Sequence, residues 1–157
     1  MQQVLHDSGL QARHLQLELT ESGLMQNPEA VIGTLRSLQQ LGVVLAMDDF
    51  GTGYSSLSNL KRFPIDVIKI DKSFIQDLHS SKDAASIALA IIAMAQSLKL
   101  RTIGEGVEAA EQLEFLIAHG CDAIQGHYFS RSLPAAQMSE LLRRGARPTP
   151  YWAEHAA

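Results

Sequence analysis

The sequence of 157 residues predicts an α/β protein in which parallel strands alternate with helices. Two observations carry this prediction. Short apolar runs of strand length recur along the chain, and Val and Ile dominate several of them. Longer segments whose apolar residues recur at helical spacing lie between these runs. Such alternation is typical of a parallel sheet that is covered by helices and joined by right-handed crossovers.

Five apolar runs are the predicted strands of this sheet. An open, doubly wound sheet and a β/α barrel both fit strands that alternate with helices. Five strands are too few for an eight-stranded barrel, which typically needs about 250 residues. The pattern therefore leaves two alternatives, an open sheet or a partial barrel. The predicted strands are Leu15–Leu19, Val43–Met47, Asp66–Ile70, Arg101–Gly104 and Asp122–Ile124.

Helix signals separate the strands. In the clearest helix, Pro28–Leu41, Asn27 is the candidate N-cap, Pro28 occupies the first helical position, and Gly42 follows the last turn. Residues 1–145 are expected to form one domain, and the Pro-rich, unpatterned residues 146–157 a loose tail. The other predicted helices are Asp83–Leu98, Ala109–His119 and Ala135–Arg144.

Composition and charge exclude several classes of function. The net charge of −4 disfavours binding to a nucleic-acid duplex, whose phosphates attract basic surfaces. The single Cys121 cannot form an internal disulfide or a Cys-rich metal site, which indicates a reducing compartment. No run approaches the ~18 apolar residues of a membrane span. We therefore expect a cytoplasmic domain without direct membrane contact, although a parent protein could be membrane-anchored and carry upstream sensor domains.

Acidic and amide residues concentrate where the apolar runs end. The carboxyl ends of parallel strands lie on one side of a sheet, so these residues should converge there, where α/β proteins place their sites. Converging carboxylates repel one another and take up protons or bind a cation. Oxygen ligands favour Mg²⁺ or Mn²⁺ and suit two metals that clamp a phosphoryl group. The residues are Glu18 and Glu21, Asp48 and Asp49, Lys69 and Asp71, Glu105 and Glu108, and Gln125.

Each of these residues also has a simpler interpretation. A single Glu at a strand end is more often a solvated charge or a helix cap. The segment Gly51–Gly53 is more typical of a flexible connection than of a phosphate-binding loop. Lys69 lies between Ile68 and Ile70, so its side chain points away from both. A buried Lys needs acidic partners, and the alternative is an exposed Lys on an edge strand. The joint placement of the polar residues favours a functional site.

The same residues resemble the successive signatures of the EAL domain family, in order and at similar spacing, over roughly 15–142. The resemblance implies a TIM-like β/α barrel that hydrolyses cyclic di-GMP to linear pGpG with Mg²⁺ or Mn²⁺. The matching segments are Glu18-Leu19-Thr20-Glu21, Asp48-Asp49-Phe50-Gly51-Thr52-Gly53-Tyr54-Ser55-Ser56, Lys69-Ile70-Asp71-Lys72-Ser73-Phe74, Gly104-Glu105-Gly106-Val107-Glu108 and Gln125-Gly126.

The resemblance also implies roles for the matching residues. Glu18, Asp48 and Asp49 correspond to metal ligands. Lys69 corresponds to the group that orients the attacking water and the phosphate. Glu105 corresponds to a further metal or water contact with a base role.

Two more residues receive roles in the same way: Glu21 braces the loop 48–56, and Gln125 is another contact in the site. The family's Glu-x-Leu signature and an Asn ligand belong to strands upstream of Leu15. We therefore expect a C-terminal portion of the domain, without about three of the barrel's strands. Exposed strand edges and an exposed core face would favour a homodimer.

Two alternatives to a phosphodiesterase remain open at this point. The first is a catalytically inactive module that binds cyclic di-GMP and signals through an interface. The second is an inactive fragment of the enzyme. A pure receptor has no need of a metal shell, so the retained acidic residues and Lys69 favour the enzyme over the receptor.

Overall fold

The computed structural model describes residues 1–20, 23, 28–53 and 60–143. It confirms the predicted α/β fold with one parallel sheet, whose five strands follow the order of the chain from β1 to β5. Among the described residues, β1 and β5 are the edges, and each pairs on one side only. The strands are β1 (Gln16–Thr20), β2 (Val44–Phe50), β3 (Val67–Ile70), β4 (Arg101–Glu105) and β5 (Ala123–Gln125).

The predicted helices occur at their expected places, with ends that differ by a few residues. The short helix α3 is not among the predicted helices; the Asp71 carboxylate begins it by accepting a hydrogen bond from the Ser73 backbone N–H at 2.9 Å. The predicted cap Asn27 and the predicted tail 146–157 lie outside the described residues. The helices are α1 (Gln2–Ser8), a 3₁₀ turn (Ala12–His14), α2 (Pro28–Gln40), α3 (Lys72–Gln76), α4 (Lys82–Ser97), α5 (Ala110–Ala118) and α6 (Ala135–Arg143). None of the helices in the described ranges is long and apolar enough to cross a membrane.

The two faces of the sheet differ in chemistry. One face packs under the helices and contributes Leu45, Met47, Phe50, Ile68 and Ile70 to the main apolar cluster. The helix α5 lies close above this face, since a Cβ on Gly104 would come within 2.7 Å of Leu116. The opposite face carries Lys69 and the acidic residues. The large core residues of β2 and β3 are covered by helices.

At the amino-terminal ends of the strands, two aspartates that each stand one residue before a strand hydrogen-bond to the neighbouring strand. Asp66 precedes β3 and accepts the Leu45 N–H of β2 at 2.9 Å. Asp122 precedes β5 and accepts the Thr102 N–H of β4 at 2.8 Å. Each carboxylate thus holds the start of one strand against its neighbour, which keeps the residues at the far ends of these strands in register.

Candidate active site

Lys69 is the centre of the polar cluster. It lies on β3 and is 2% exposed. Its Nζ is 2.7 Å from Glu18 Oε2, 2.8 Å from Asp48 Oδ1 and 2.6 Å from Glu105 Oε1. These carboxylates come from β1, β2 and β4, so the sheet brings three distant segments to one ammonium group. A lysine this buried requires such partners, which decides against an exposed Lys on an edge strand.

A bulge in β2 explains how two adjacent aspartates can serve one site. Side chains alternate along a regular strand, so Asp48 and Asp49 should point to opposite faces. The register with β3 shifts between Met47 and Phe50, and Asp49 has a left-handed φ of 53°. Asp is among the residues that adopt this conformation most readily. The bulge lets both carboxylates reach the site while Phe50 returns to the apolar core.

Three carboxylates fit a divalent cation. One oxygen each from Asp48, Asp49 and Glu105 lies within 4.8 Å of the other two. Hard oxygen donors at this spacing are the ligand set that Mg²⁺ and Mn²⁺ prefer. Glu18 is not part of this group of three and is joined to it through Lys69.

The contacts of Lys69 also set its charge. Burial on its own lowers the pKa of a lysine, because it penalises the charged form. Hydrogen bonds to Asp48, Glu105 and Glu18 outweigh burial and raise the pKa of Lys69 above its usual range. The side chain therefore carries its positive charge throughout the physiological pH range.

Two of the carboxylates are more basic than ordinary acids. Burial raises the pKa of Glu105, helped by repulsion from Asp48 and opposed by the hydrogen bond to Lys69. Burial and repulsion from Asp48 and Asp71 likewise raise the pKa of Asp49. Such shifts are common where carboxylates converge at a functional site, because a proton or a cation relieves the repulsion.

Asp71 differs from its neighbours in the site. Burial on its own would raise its pKa, but hydrogen bonds from Ser73 and the Lys72 backbone lower it. The Asp71 carboxylate therefore places a negative charge near Asp49 and also caps the start of α3.

Gln125 lies in register with Glu105 on the neighbouring strand β5, so it stands beside the cluster. The following Gly126 is held against the backbone of residue 107, where a Cβ would lie 2.2 Å from the Val107 oxygen. This contact explains the Gln-Gly pair: the glycine permits the close approach that ends β5 next to Glu105.

The remaining predicted residues lie elsewhere or outside the described residues. Glu108 lies 3.8 Å from His127 in an open cleft of about 560 Å³ that borders Gly106 and Gln125. Glu21, which the family resemblance makes the brace of the loop after β2, lies outside the described residues. Its role stays a prediction.

Together the fold and the cluster define a β/α protein with a carboxylate site suited to a divalent cation at the carboxyl ends of its strands. The EAL domain family matches residues 1–132, and the chain belongs to this family. The family prediction is thereby confirmed.

The chain is similar to proteins of several bacteria. Cyclic di-GMP phosphodiesterase NbdA of Pseudomonas aeruginosa is 51% identical over 139 residues, which are 88% of this chain and 18% of that protein. The EAL domain of Mycobacterium smegmatis DcpA superposes with a TM-score of 0.86 at 40% identity, over 93% of this chain and 66% of that one. A manganese and cyclic di-GMP complex of Klebsiella pneumoniae BlrP1 superposes with a TM-score of 0.76 at 34% identity, over 82% and 33%.

The chain spans about one fifth of the length of the curated relatives it matches. Known EAL structures also extend beyond the matched region, since this chain covers 66% of the DcpA domain. The similarity therefore bears on the part of the family that contains the cluster around Lys69.

Proposed function

We propose that this chain acts in the hydrolysis of cyclic di-GMP to linear pGpG. The observation that carries the proposal is the convergence of Glu18, Asp48 and Glu105 on the buried Lys69, beside carboxylates spaced for a divalent cation. Membership of the EAL family supports the choice of substrate, because relatives of this chain are named as phosphodiesterases for cyclic di-GMP.

Asp48, Asp49 and Glu105 are the proposed holders of Mg²⁺ or Mn²⁺, and Glu18 is a further candidate ligand at the margin of the group. Two ions are proposed, as the family resemblance implies. A bound divalent ion would lower the pKa of a coordinated water molecule and neutralise charge on the phosphate. The BlrP1 complex, which contains manganese and cyclic di-GMP, supports this choice of metal.

The chain's own residues supply the remaining chemistry. Glu105 is also the proposed base that accepts a proton from the attacking water. The water oxygen bonds to phosphorus, the bridging bond to the 3′ oxygen breaks, and that oxygen takes up the proton. Lys69 holds the water and the phosphate in line with its positive charge. Gln125 contacts the substrate, and Glu21 braces the loop after β2.

The open strand edges support a proposal about assembly. Within the described ranges, β1 and β5 each have one side without a strand partner. Unpaired edges favour association with another chain, so we propose a homodimer. Light scattering of the purified chain would test the dimer; a monomer mass at micromolar concentration would contradict it.

The cytoplasm remains the proposed compartment, because Cys121 is a free thiol.

Hydrolysis of cyclic di-GMP by the purified chain, with Mg²⁺ or Mn²⁺, tests the proposed reaction. Asp48→Ala should lower the rate by at least about 100-fold, since it removes both a ligand and a partner of Lys69. Glu114→Ala is the matched control, because Glu114 is an exposed acid on α5, the helix packed against the opposite face of the sheet. Binding of cyclic di-GMP without turnover would contradict the enzyme and favour the receptor.

A further inference from the structure

The hydrogen-bonding capacity of Lys69 is fully used inside the carboxylate cluster. A lysine ammonium has three N–H donors. Three carboxylate oxygens, from Glu18, Asp48 and Glu105, lie between 2.6 and 2.8 Å from Nζ. The side chain is 3% exposed. The three carboxylates enclose the ammonium, so a water molecule or a phosphate oxygen can take a donor only if one of these contacts breaks.

Two of these acceptors belong to the group that fits a divalent cation. Asp48 and Glu105 contact Lys69, and with Asp49 they form the set of three carboxylates. A metal ion and an ammonium group would thus compete for the same two carboxylates, and their positive charges repel each other. Glu18 is the one partner of Lys69 that stands outside the set.

We propose that Lys69 is the counter-cation of the metal-free site, and that metal binding displaces its ammonium from Asp48 or Glu105. The displacement frees an N–H donor for the substrate, while Glu18 continues to hold the ammonium in place. Metal binding would then precede the lysine's contact with water or phosphate. The inference depends on the proposed function only in that a divalent ion binds these carboxylates.

Calorimetric titration with Mn²⁺ at pH 8 tests the competition. Lys69→Met should bind Mn²⁺ at least about tenfold more tightly than the wild type, because a positive charge in contact with two ligands is removed. Lys99→Met is the matched control. Lys99 is exposed and precedes β4, so it lies at the amino-terminal ends of the strands, away from the carboxylates at their carboxyl ends. Its loss should therefore change the Mn²⁺ affinity by less than about twofold. Unchanged or weaker binding by folded Lys69→Met would overturn the proposal.

A measurement on the wild-type protein covers the case in which Lys69→Met does not fold. Lys69 is the buried lysine of the described residues, so its ammonium protons should exchange slowly enough for a ¹H–¹⁵N signal without metal. Addition of diamagnetic Mg²⁺ should shift that signal and speed its exchange. A signal that Mg²⁺ leaves unchanged at saturation would refute the displacement.

These readouts separate this inference from the proposed reaction. If wild-type protein binds Mn²⁺ but does not hydrolyse cyclic di-GMP, the proposed function fails and tighter binding by Lys69→Met still supports the competition. If wild-type protein binds no Mn²⁺, the metal site itself is wrong, and both proposals fall with it.

Discussion

Replacement of Gly126 by alanine would force β5 away from Glu105. A Cβ at this position would lie 2.2 Å from the Val107 oxygen and 2.3 Å from the Val107 nitrogen. Both are backbone atoms, and the segment is held by hydrogen bonds from Val107 N to Gln125 O and from Tyr128 N to Val107 O, at 3.1 and 2.8 Å. The contact cannot be relieved by a side-chain rotation, so the backbone has to move.

The expected cost follows from this geometry. Both contacts are about 1 Å shorter than ordinary van der Waals separation, and overpacking of this kind costs about 1–3 kcal/mol and occasionally more. Loss of one or both backbone hydrogen bonds adds about 1 kcal/mol each. A total of about 2–5 kcal/mol corresponds to a decrease in Tm of roughly 4–20 °C for a chain of this length. Thermal unfolding followed by circular dichroism measures it.

Gly33→Ala is the matched control for this substitution. Gly33 lies in α2, and a Cβ there would meet nothing within 4 Å. Alanine is the better helix former, so we expect an increase in stability of about 0.5–1 kcal/mol. A Tm of Gly126→Ala within about 2 °C of the wild type would refute the steric argument, since it would require a backbone that yields freely.

Three further predictions concern the cluster. Asp49→Asn should keep the fold but lower the Mn²⁺ affinity at least about tenfold. Asp49→Val should also lower Tm, because a β-branched residue is strained at a φ of 53°. Equal Tm values for the two variants would contradict the bulge. The carboxyl pKa values of Glu105 and Asp49 are raised, so protons compete with the metal for these groups. The Mn²⁺ affinity measured by calorimetry should therefore fall as the pH decreases from 8. In Asp49→Asn the affinity should depend less steeply on pH. Pairing raises the pKa of Lys69, so its contribution to stability is complete below about pH 10.4 and is lost as the pH rises from there toward the folded value. Tm in EDTA should therefore stay level up to about pH 10 and decrease at higher pH, and a profile that is flat up to about pH 12 would argue against the buried ion pairs.

The strands and the convergence of acids were predictable because both depend on short-range patterns. Val and Ile runs mark strands, and parallel strands place their carboxyl ends together, which brought Glu18, Asp48 and Glu105 to one edge. The pairing of Lys69 with acids followed from the cost of burying an unpaired charge. These inferences needed residue types and spacing but no knowledge of distant contacts.

Other features depend on contacts that spacing does not reveal. The bulge at Asp49 arises from the register with β3, and its only sequence signal is that Asp tolerates a left-handed φ. The close approach of Gly126 to Val107 joins segments of different strands and loops, so the glycine alone could not disclose it. Helix α3 has five residues, too few for a helical period to show.

Because the two faces of the sheet differ in chemistry, substitutions at neighbouring positions of β2 should affect different properties of the protein. A change at Leu45 or Met47 would act on the abundance of folded protein, and a change at Asp48 would act mainly on chemistry. A scan of all substitutions, read separately for abundance and for turnover, should thus alternate between the two readouts from Met47 onward, whereas the fully buried Ala46 should also act on abundance. At Asp49 the alternation should skip one step, so that two neighbouring positions belong to chemistry before Phe50 returns to abundance.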